Sequence, residues 1–188
     1  MKYRIAVSGA AETNVCEECA MDLTKELGRE IIRQGGILIT GATTGVPYWA
    51  AIGAKEERGI VVGLSPASTE IEHIKKYQLP IDYHDIIIYT GFGYAGRNLL
   101  MTRSSDGVII SCGRIGTLNE FTIAFEDKKP IGVLIGTGGM ADKIKEIVEC
   151  SSRKSQKIVY NQNPKKLVEE LINLIEEEKR KSEPPYPY

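Results

Sequence analysis

The residues best equipped for chemistry lie in two neighbouring stretches, "GRN" (Gly96–Asn98) and "SCGRIGTLNEF" (Ser111–Phe121). They offer a guanidinium, Arg97, a carboxylate, Glu120, and a glycine-bearing turn, Gly113 to Thr117, directly after an apolar run. Such a set suits an anion cradled by backbone amides beside an acid. The first turn of a helix presents unpaired N–H groups and partial positive charge, and glycine lets the main chain come close to a ligand. Arg97 opens a helical pattern, where the macrodipole disfavours a cation, so it gains from a nearby anion or carboxylate. Each feature has a plainer explanation. Thr117-x-x-Glu120 ahead of Phe121, Ile123, Ala124 and Phe125 is a capping box, and Arg97 can pair with a surface acid. A carboxylate in a first helical turn can serve a cap and still face a crevice.

Seven short β-branched runs punctuate the chain: "YRIAVSG", "GILITG", "IVVGLS", "DIIIYTG", "DGVIIS", "IGVLIG" and "KIVY". Most are continuous apolar runs, as expected for strands covered on both faces. Helical patterns fall between them at about 17–34, 46–58, 96–105, 118–127, 139–150 and 164–181. The connection "PASTEIEHIKKYQLPIDYH" is less regular and holds room for a short helix. This alternation predicts a doubly wound, mostly parallel α/β sheet of about seven strands with helices on both faces, a Rossmann-like fold. One domain over residues 1–181 is expected, followed by a mobile Pro/Tyr-rich tail, 182–188.

In such a sheet the carboxyl ends of the strands form the ligand crevice. Glycines gather there, so the candidate phosphate- or nucleotide-binding set is Ser8, Gly9, Gly41, Thr44, Gly91, Gly93, Asn98, Gly113, Arg114, Ile115, Gly116 and Thr117. "GFGYAG" satisfies G-x-G-x-x-G but follows the fourth strand. Ser111 and Cys112 stand where a dinucleotide site wants an acid for the ribose, so NAD and NADP are not expected.

Composition is 42% hydrophobic and 26% charged with net charge −1, and no basic excess points to nucleic acid. No apolar run approaches the length of a membrane span and no signal-peptide pattern opens the chain, so a cytoplasmic protein is expected. Cys16, Cys19, Leu23, Leu27 and Ile31 follow helical spacing, which places both thiols on the buried stripe of the first helix as free core cysteines. Cys112 and Cys150 are isolated, and neither His73 nor His84 stands at metal-ligand spacing from a cysteine. No metal and no cofactor are expected, and His84 in "DYHDII" reads as part of a surface acid–histidine cluster. Phe92, Tyr94, Leu99 and Leu100 suit either a subunit contact or the core.

"GRNLLMTRSSDGVIISCGRIGTLNEF" resembles the paired signature of the Lonely Guy (LOG) proteins: an Arg-containing helix, a strand, then P-G-G-x-G-T-x-x-E. "RIAVSGA" and "GGILITGATTGVPYWAAIGAKEERGIVVGLSP" resemble the family's first three βα units. Within that SLOG superfamily, "GRN" and "GTLNE" are most similar to a branch that includes molybdenum-cofactor-carrier-like proteins. The resemblance implies phosphoribohydrolase activity on a nucleoside 5′-monophosphate, with Gly113, Gly116 and Thr117 on the phosphate and Arg97 and Glu120 catalytic. Glu120 would stabilise the cationic sugar or orient water, and Arg97 would hold it ionised. The alternative is a carrier or sensor of a phosphorylated pterin or nucleotide, without turnover. The resemblance also implies a homodimer or larger homo-oligomer. Four departures stand out. Cys112 replaces the proline, Arg114 the second glycine, Asn98 a lysine, and Tyr94-Ala95 a Met-His pair. Arg114 either adds a cation to a phosphate site or crowds it.

Overall fold

The computed structural model describes residues 3–151, 153 and 157–182. Strands β1 (Tyr3–Ser8), β2 (Gly36–Thr40), β3 (Val61–Ser65), β4 (Ile86–Tyr89), β5 (Gly107–Ile110), β6 (Ile131–Leu134) and β7 (Ile158–Asn161) form one sheet in the order β4-β3-β2-β1-β5-β6-β7. Every pairing is parallel. The helices are α1 (Ala20–Arg33), α2 (Val46–Glu56), α3 (Glu70–Lys75), α4 (Gly93–Ser104), α5 (Ile115–Glu126), α6 (Ile144–Cys150) and α7 (Pro164–Ser182). A 3₁₀ turn, Ala141–Lys143, leads into α6. The expected doubly wound α/β architecture is the one observed. Residues 183–188 of the expected tail lie outside the described residues.

Burial on both faces explains the continuous apolar runs. Along β1, Ile5 and Val7 enter the core beneath α1, α2 and α7, while Ala6 between them enters the core beneath α4 and α5. In β5, Ile109 faces the first core, and Val108 and Ile110 face the second. The chain runs outward from β1 to β4, then returns to place β5 on the other side of β1, with Ser8 level with Ile110. The connections leaving β1 and β5 therefore diverge, and a crevice opens between them at the carboxyl edge.

Three helix starts differ from the sequence pattern. Helix α5 begins at Ile115, with Arg114 in the N-cap position, so Thr117 lies inside the first turn and Thr117-x-x-Glu120 is not a capping box. Helix α4 begins at Gly93, three residues before the pattern, because Gly93 turns the chain at φ 63° and the Tyr94-Ala95-Gly96 run continues as helix. Arg97 consequently lies one turn inside α4. Helix α1 begins only at Ala20. The short helix in the irregular connection is α3, capped by Thr69, whose hydroxyl accepts from the Glu72 N–H at 3.1 Å.

The late start of α1 also changes the cysteine chemistry. Cys16 precedes the helix in a loop that bridges to Gly138, and it is disulfide-bonded to Cys112, 96 residues away. Cys19 occupies the N-cap position of α1 and is an exposed free thiol. The expectation of two buried free cysteines on one stripe is thus corrected. A cross-link closing so long a loop restrains the unfolded chain, a contribution on the order of 2–5 kcal/mol.

His84 is not a surface cluster member either. Its Nε2 lies 2.8 Å from the Thr40 hydroxyl and its Nδ1 2.8 Å from the Asp82 carbonyl. The Thr40 hydroxyl in turn accepts from the Ala42 N–H at 3.1 Å, which shapes the turn after β2. Burial lowers the His84 pKa from its ordinary 6.5, so the folded protein holds it neutral. The unfolded chain then binds more protons as pH falls, and the contribution is present above about 6.5 and lost through the depressed folded value. The urea midpoint is expected to drop between pH 7.5 and pH 5.5, and His84→Asn to flatten that limb. An unchanged pH slope in the variant would refute the assignment.

Candidate functional site

A cavity of about 310 Å³ opens at this crevice. Its walls come from four connections: Gly9 to Glu12 after β1, Thr43 after β2, Tyr94, Arg97 and Asn98 on α4, and Arg114, Gly116, Thr117 and Glu120 around the start of α5. Its size lies at the lower end of small-molecule sites.

The structure brings Arg97 and Glu120 together. Nη1 of Arg97 lies 3.5 Å from Oε1 of Glu120, and each side chain is 7% exposed. Burial is the main influence on both groups: it lowers the Arg97 pKa and raises that of Glu120, with their mutual attraction opposing each shift. Glu120 is further held on both oxygens. The Ser8 hydroxyl donates to Oε2. Asn98, in the amide orientation that satisfies its neighbours, donates to Oε1 at 2.8 Å and to the Tyr94 carbonyl at 2.9 Å. Arg97 is less well served. Its Nη1 approaches the Met101 sulfur at 3.7 Å, its face meets the Tyr94 ring at 5.9 Å, and its buried Nε has no partner among the described residues.

Backbone geometry makes room for these groups. A Cβ at Gly41 would sit 1.6 Å from Arg97 Nη1, and one at Gly113 would sit 2.2 Å from the Thr117 hydroxyl oxygen. Gly113 is thus required for packing against Thr117, and a side chain at Gly41 would displace the Arg97 guanidinium. Helix α5 has no side-chain cap, and the Leu118 N–H donates to Arg114 O at 3.0 Å. The amides before Leu118 point out of the helix start, as in anion sites. Arg114 does not fill this turn. Its guanidinium reaches across the rim to Glu12 at 2.9 Å, and both side chains are substantially exposed.

The candidate residues divide accordingly. Gly9, Arg97, Asn98, Arg114, Gly116, Thr117 and Glu120 line the cavity. Ser8 and Gly41 stand behind it, against Glu120 and Arg97. Thr44 is turned aside, its hydroxyl donating to Ala11 O at 3.1 Å. Gly113 serves packing, Ile115 is 78% exposed outside the lining, and Gly91 and Gly93 belong to the turn from β4 into α4. Glu12, Ala10, Ala11 and Thr43 were missed, since "AAETN" and "ATT" carry no spacing that distinguishes them from ordinary loop.

Fold and site together define a Rossmann-like α/β protein with a crevice at its topological switch. The chain belongs to the SLOG cluster4 family, whose model matches residues 2–168. It is 35% identical over 131 residues to an uncharacterised protein of Archaeoglobus fulgidus, covering 70% of this chain and 79% of that one. Two solved structures are similar throughout. One is the Moco carrier protein from Chlamydomonas reinhardtii, 27% identical, covering 94% of this chain and 99% of that one, with a TM-score of 0.75. The other is the molybdenum cofactor binding protein from Rippkaea orientalis, 27% identical, covering 95% and 98%, with a TM-score of 0.72. Among the described residues, no helix is long and apolar enough to cross a membrane.

The pairing of Arg97 with Glu120 has a measurable signature. Removing one partner of a buried ion pair strands the other, at a cost of about 3–5 kcal/mol. Arg97→Met and Glu120→Gln are each expected to destabilise, and the double variant to recover part of that loss in a denaturation cycle. Strict additivity would show that the two side chains do not interact.

Proposed function

We propose that this protein binds a phosphorylated small molecule, a nucleotide or a pterin phosphate such as molybdenum cofactor, in the cavity between the β1 and β5 connections, and carries it without turnover. The observation that carries the proposal is the convergence of the uncapped α5 start with Arg97, a buried cation whose Nε lacks a partner. A phosphate at the α5 amides would be held by charge-assisted bonds and by the helix dipole. The similar structures named for molybdenum cofactor binding and carriage support this ligand class.

Carriage is preferred because Glu120 is already engaged. A carboxylate offers about four acceptor positions, and Ser8, Asn98 and Arg97 approach three of them. A second reading, phosphoribohydrolase activity on a nucleoside 5′-monophosphate, is favoured by one fact: Arg97 and Glu120 line the same cavity as the α5 turn. In that case Glu120 would stabilise the sugar cation and Arg97 would keep the acid ionised.

Thermal shift with inorganic phosphate, AMP and a pterin phosphate, with mass spectrometry of the same mixtures, separates the two. Carriage predicts a ligand-dependent rise equivalent to about 2.7 kcal/mol at a hundredfold excess over Kd, and no free base or ribose 5-phosphate. Products that vanish in Glu120→Gln while binding persists would establish hydrolysis instead. No shift with any of the three would refute both.

Self-association belongs to the same proposal. The β4–α4 segment exposes Ile86, Ile88, Phe92, Tyr94, Leu99 and Leu100, so the candidates for core or contact face outward. A second copy covering this segment would lie beside the cavity, which Tyr94 also lines. Leu99→Glu with Leu100→Glu is expected to yield a monomer by sedimentation velocity, where the unaltered chain sediments as a dimer or larger. A monomeric unaltered chain would overturn this. A cytoplasmic location remains the proposal for the whole protein.

A further inference from the structure

Three direct ties between the walls of the cavity bear on its shape, and one of them is covalent. The connection after β1 supplies Gly9 to Glu12 and then Cys16. The connection after β5 supplies Cys112, then Gly113 and Arg114. The disulfide links them, and beside it the Ala10 N–H donates to the Cys112 carbonyl at 2.7 Å. Cys112 is fully buried, whereas Cys16 is partly exposed and its loop is pinned to the β6 connection by the Glu17 N–H, which donates to Thr137 O at 3.0 Å. Three residues after Cys16 comes Cys19, a free and exposed thiol whose sulfur lies 3.7 Å from Gly136 O. The turn between them is closed by the Ala20 N–H donating to Glu17 O at 3.0 Å. A C-x-x-C pair at a helix start is a recurrent setting for thiol–disulfide chemistry.

We propose that Cys16, Cys19 and Cys112 form a thiol–disulfide exchange site that controls the anion-binding cavity. The Cys19 thiolate attacks the Cys16 sulfur. The Cys16–Cys19 bond forms, the Cys16–Cys112 bond breaks, and its electron pair leaves on the Cys112 sulfur, which takes up the proton that Cys19 gave up. No external oxidant or reductant is consumed, because the number of disulfides is unchanged. The exchange trades a cross-link between the two cavity walls for one within a single loop. Of these direct ties, the Ala10–Cys112 hydrogen bond and the exposed Glu12–Arg114 pair then remain, and such exposed pairs are weak. By reciprocity, an anion that needs both walls in place favours the Cys16–Cys112 form. The control of binding rests on the proposed function; the exchange itself does not.

The purified, oxidised full chain is incubated at pH 8, quenched with acid, alkylated and peptide-mapped. Inorganic phosphate is titrated calorimetrically against the same samples. The expected result is a Cys16–Cys19 linked peptide with alkylated Cys112, at least tenfold weaker phosphate binding in that form, and less of it when phosphate is present during incubation. Cys19→Ser is expected to keep Cys16 on Cys112 and the affinity high. Cys112→Ser is expected to pair Cys16 with Cys19 and to bind weakly; should it fail to fold, Cys19→Ser and the unaltered chain still decide. A Cys16–Cys112 peptide that persists with no Cys16–Cys19 product overturns the exchange. Exchange with equal phosphate affinity overturns the control of binding. Phosphate binding in neither form refutes the anion site and with it the control, while the peptide map still decides the exchange.

Discussion

The desolvation of Arg97 is the constraint around which this crevice is organised. A guanidinium excluded from water is expensive, and one carboxylate at 3.5 Å does not satisfy its five donors. The surrounding structure answers the cost only in part. Glu120 contributes charge, Tyr94 a ring face, Met101 a weak sulfur acceptor, and Gly41 the space that any side chain would have taken. Apolar replacements of such a pair often stabilise a fold.

That arrangement is possible only at the switch between β1 and β5. Glu120 needs a hydroxyl from the end of β1, an amide from α4 and a cation from the same helix, and these elements meet nowhere else along the sheet edge. The two cores fix the elements that carry them. Met101 anchors α4 and Phe121 anchors α5 in one core, so that Arg97 and Glu120 are carried on helices whose inner faces are packed. The site is accurate because its side chains stand on the packed inner faces of two helices; its rim is looser because Glu12 and Arg114 stand on connections.

Much of this was legible in the sequence, and the misreadings have physical causes. Strands buried on both faces lose the alternation of a half-exposed sheet and read as plain apolar runs, and the edge strand β4 reads the same way because its exposed positions, Ile86 and Ile88, are apolar too. Arg97 and Glu120 could be paired because a parallel sheet puts successive helix starts on one edge. The start of α5 was misplaced because Thr117-x-x-Glu120 has the spacing of a capping box, while the real helix begins uncapped three residues earlier. A helix end without a cap leaves no local signature, and it is the uncapped amides that serve the proposed ligand. The bond between Cys16 and Cys112 could not be read, since the helical spacing of Cys16, Cys19 and Leu23 imitates a buried stripe. A contact across 96 residues has no local sign. Ser8 was placed in the candidate set for the ligand, yet its hydroxyl is spent on Glu120, because the end of β1 faces α5 rather than open crevice.

The departures from the P-G-G-x-G-T-x-x-E pattern differ in what they cost. At position 113 a side chain would collide with Thr117, so glycine is required there. At position 114 the backbone is extended, with φ −120° and ψ −154°, a conformation open to any residue. Arginine therefore fits without strain, and its guanidinium leaves the turn for the rim. A Cβ at Gly116 would meet nothing within 4 Å among the described residues beyond its chain neighbours and its own helix backbone, so the space beside that amide is open. Cysteine in place of the proline gives up a rigid backbone and gains a covalent tie to the opposite wall. The turn thus retains the small residue where packing demands one and the open space where an anion would sit. It has changed only where the fold leaves the choice free, and in both changed positions the new side chain reaches the connection after β1.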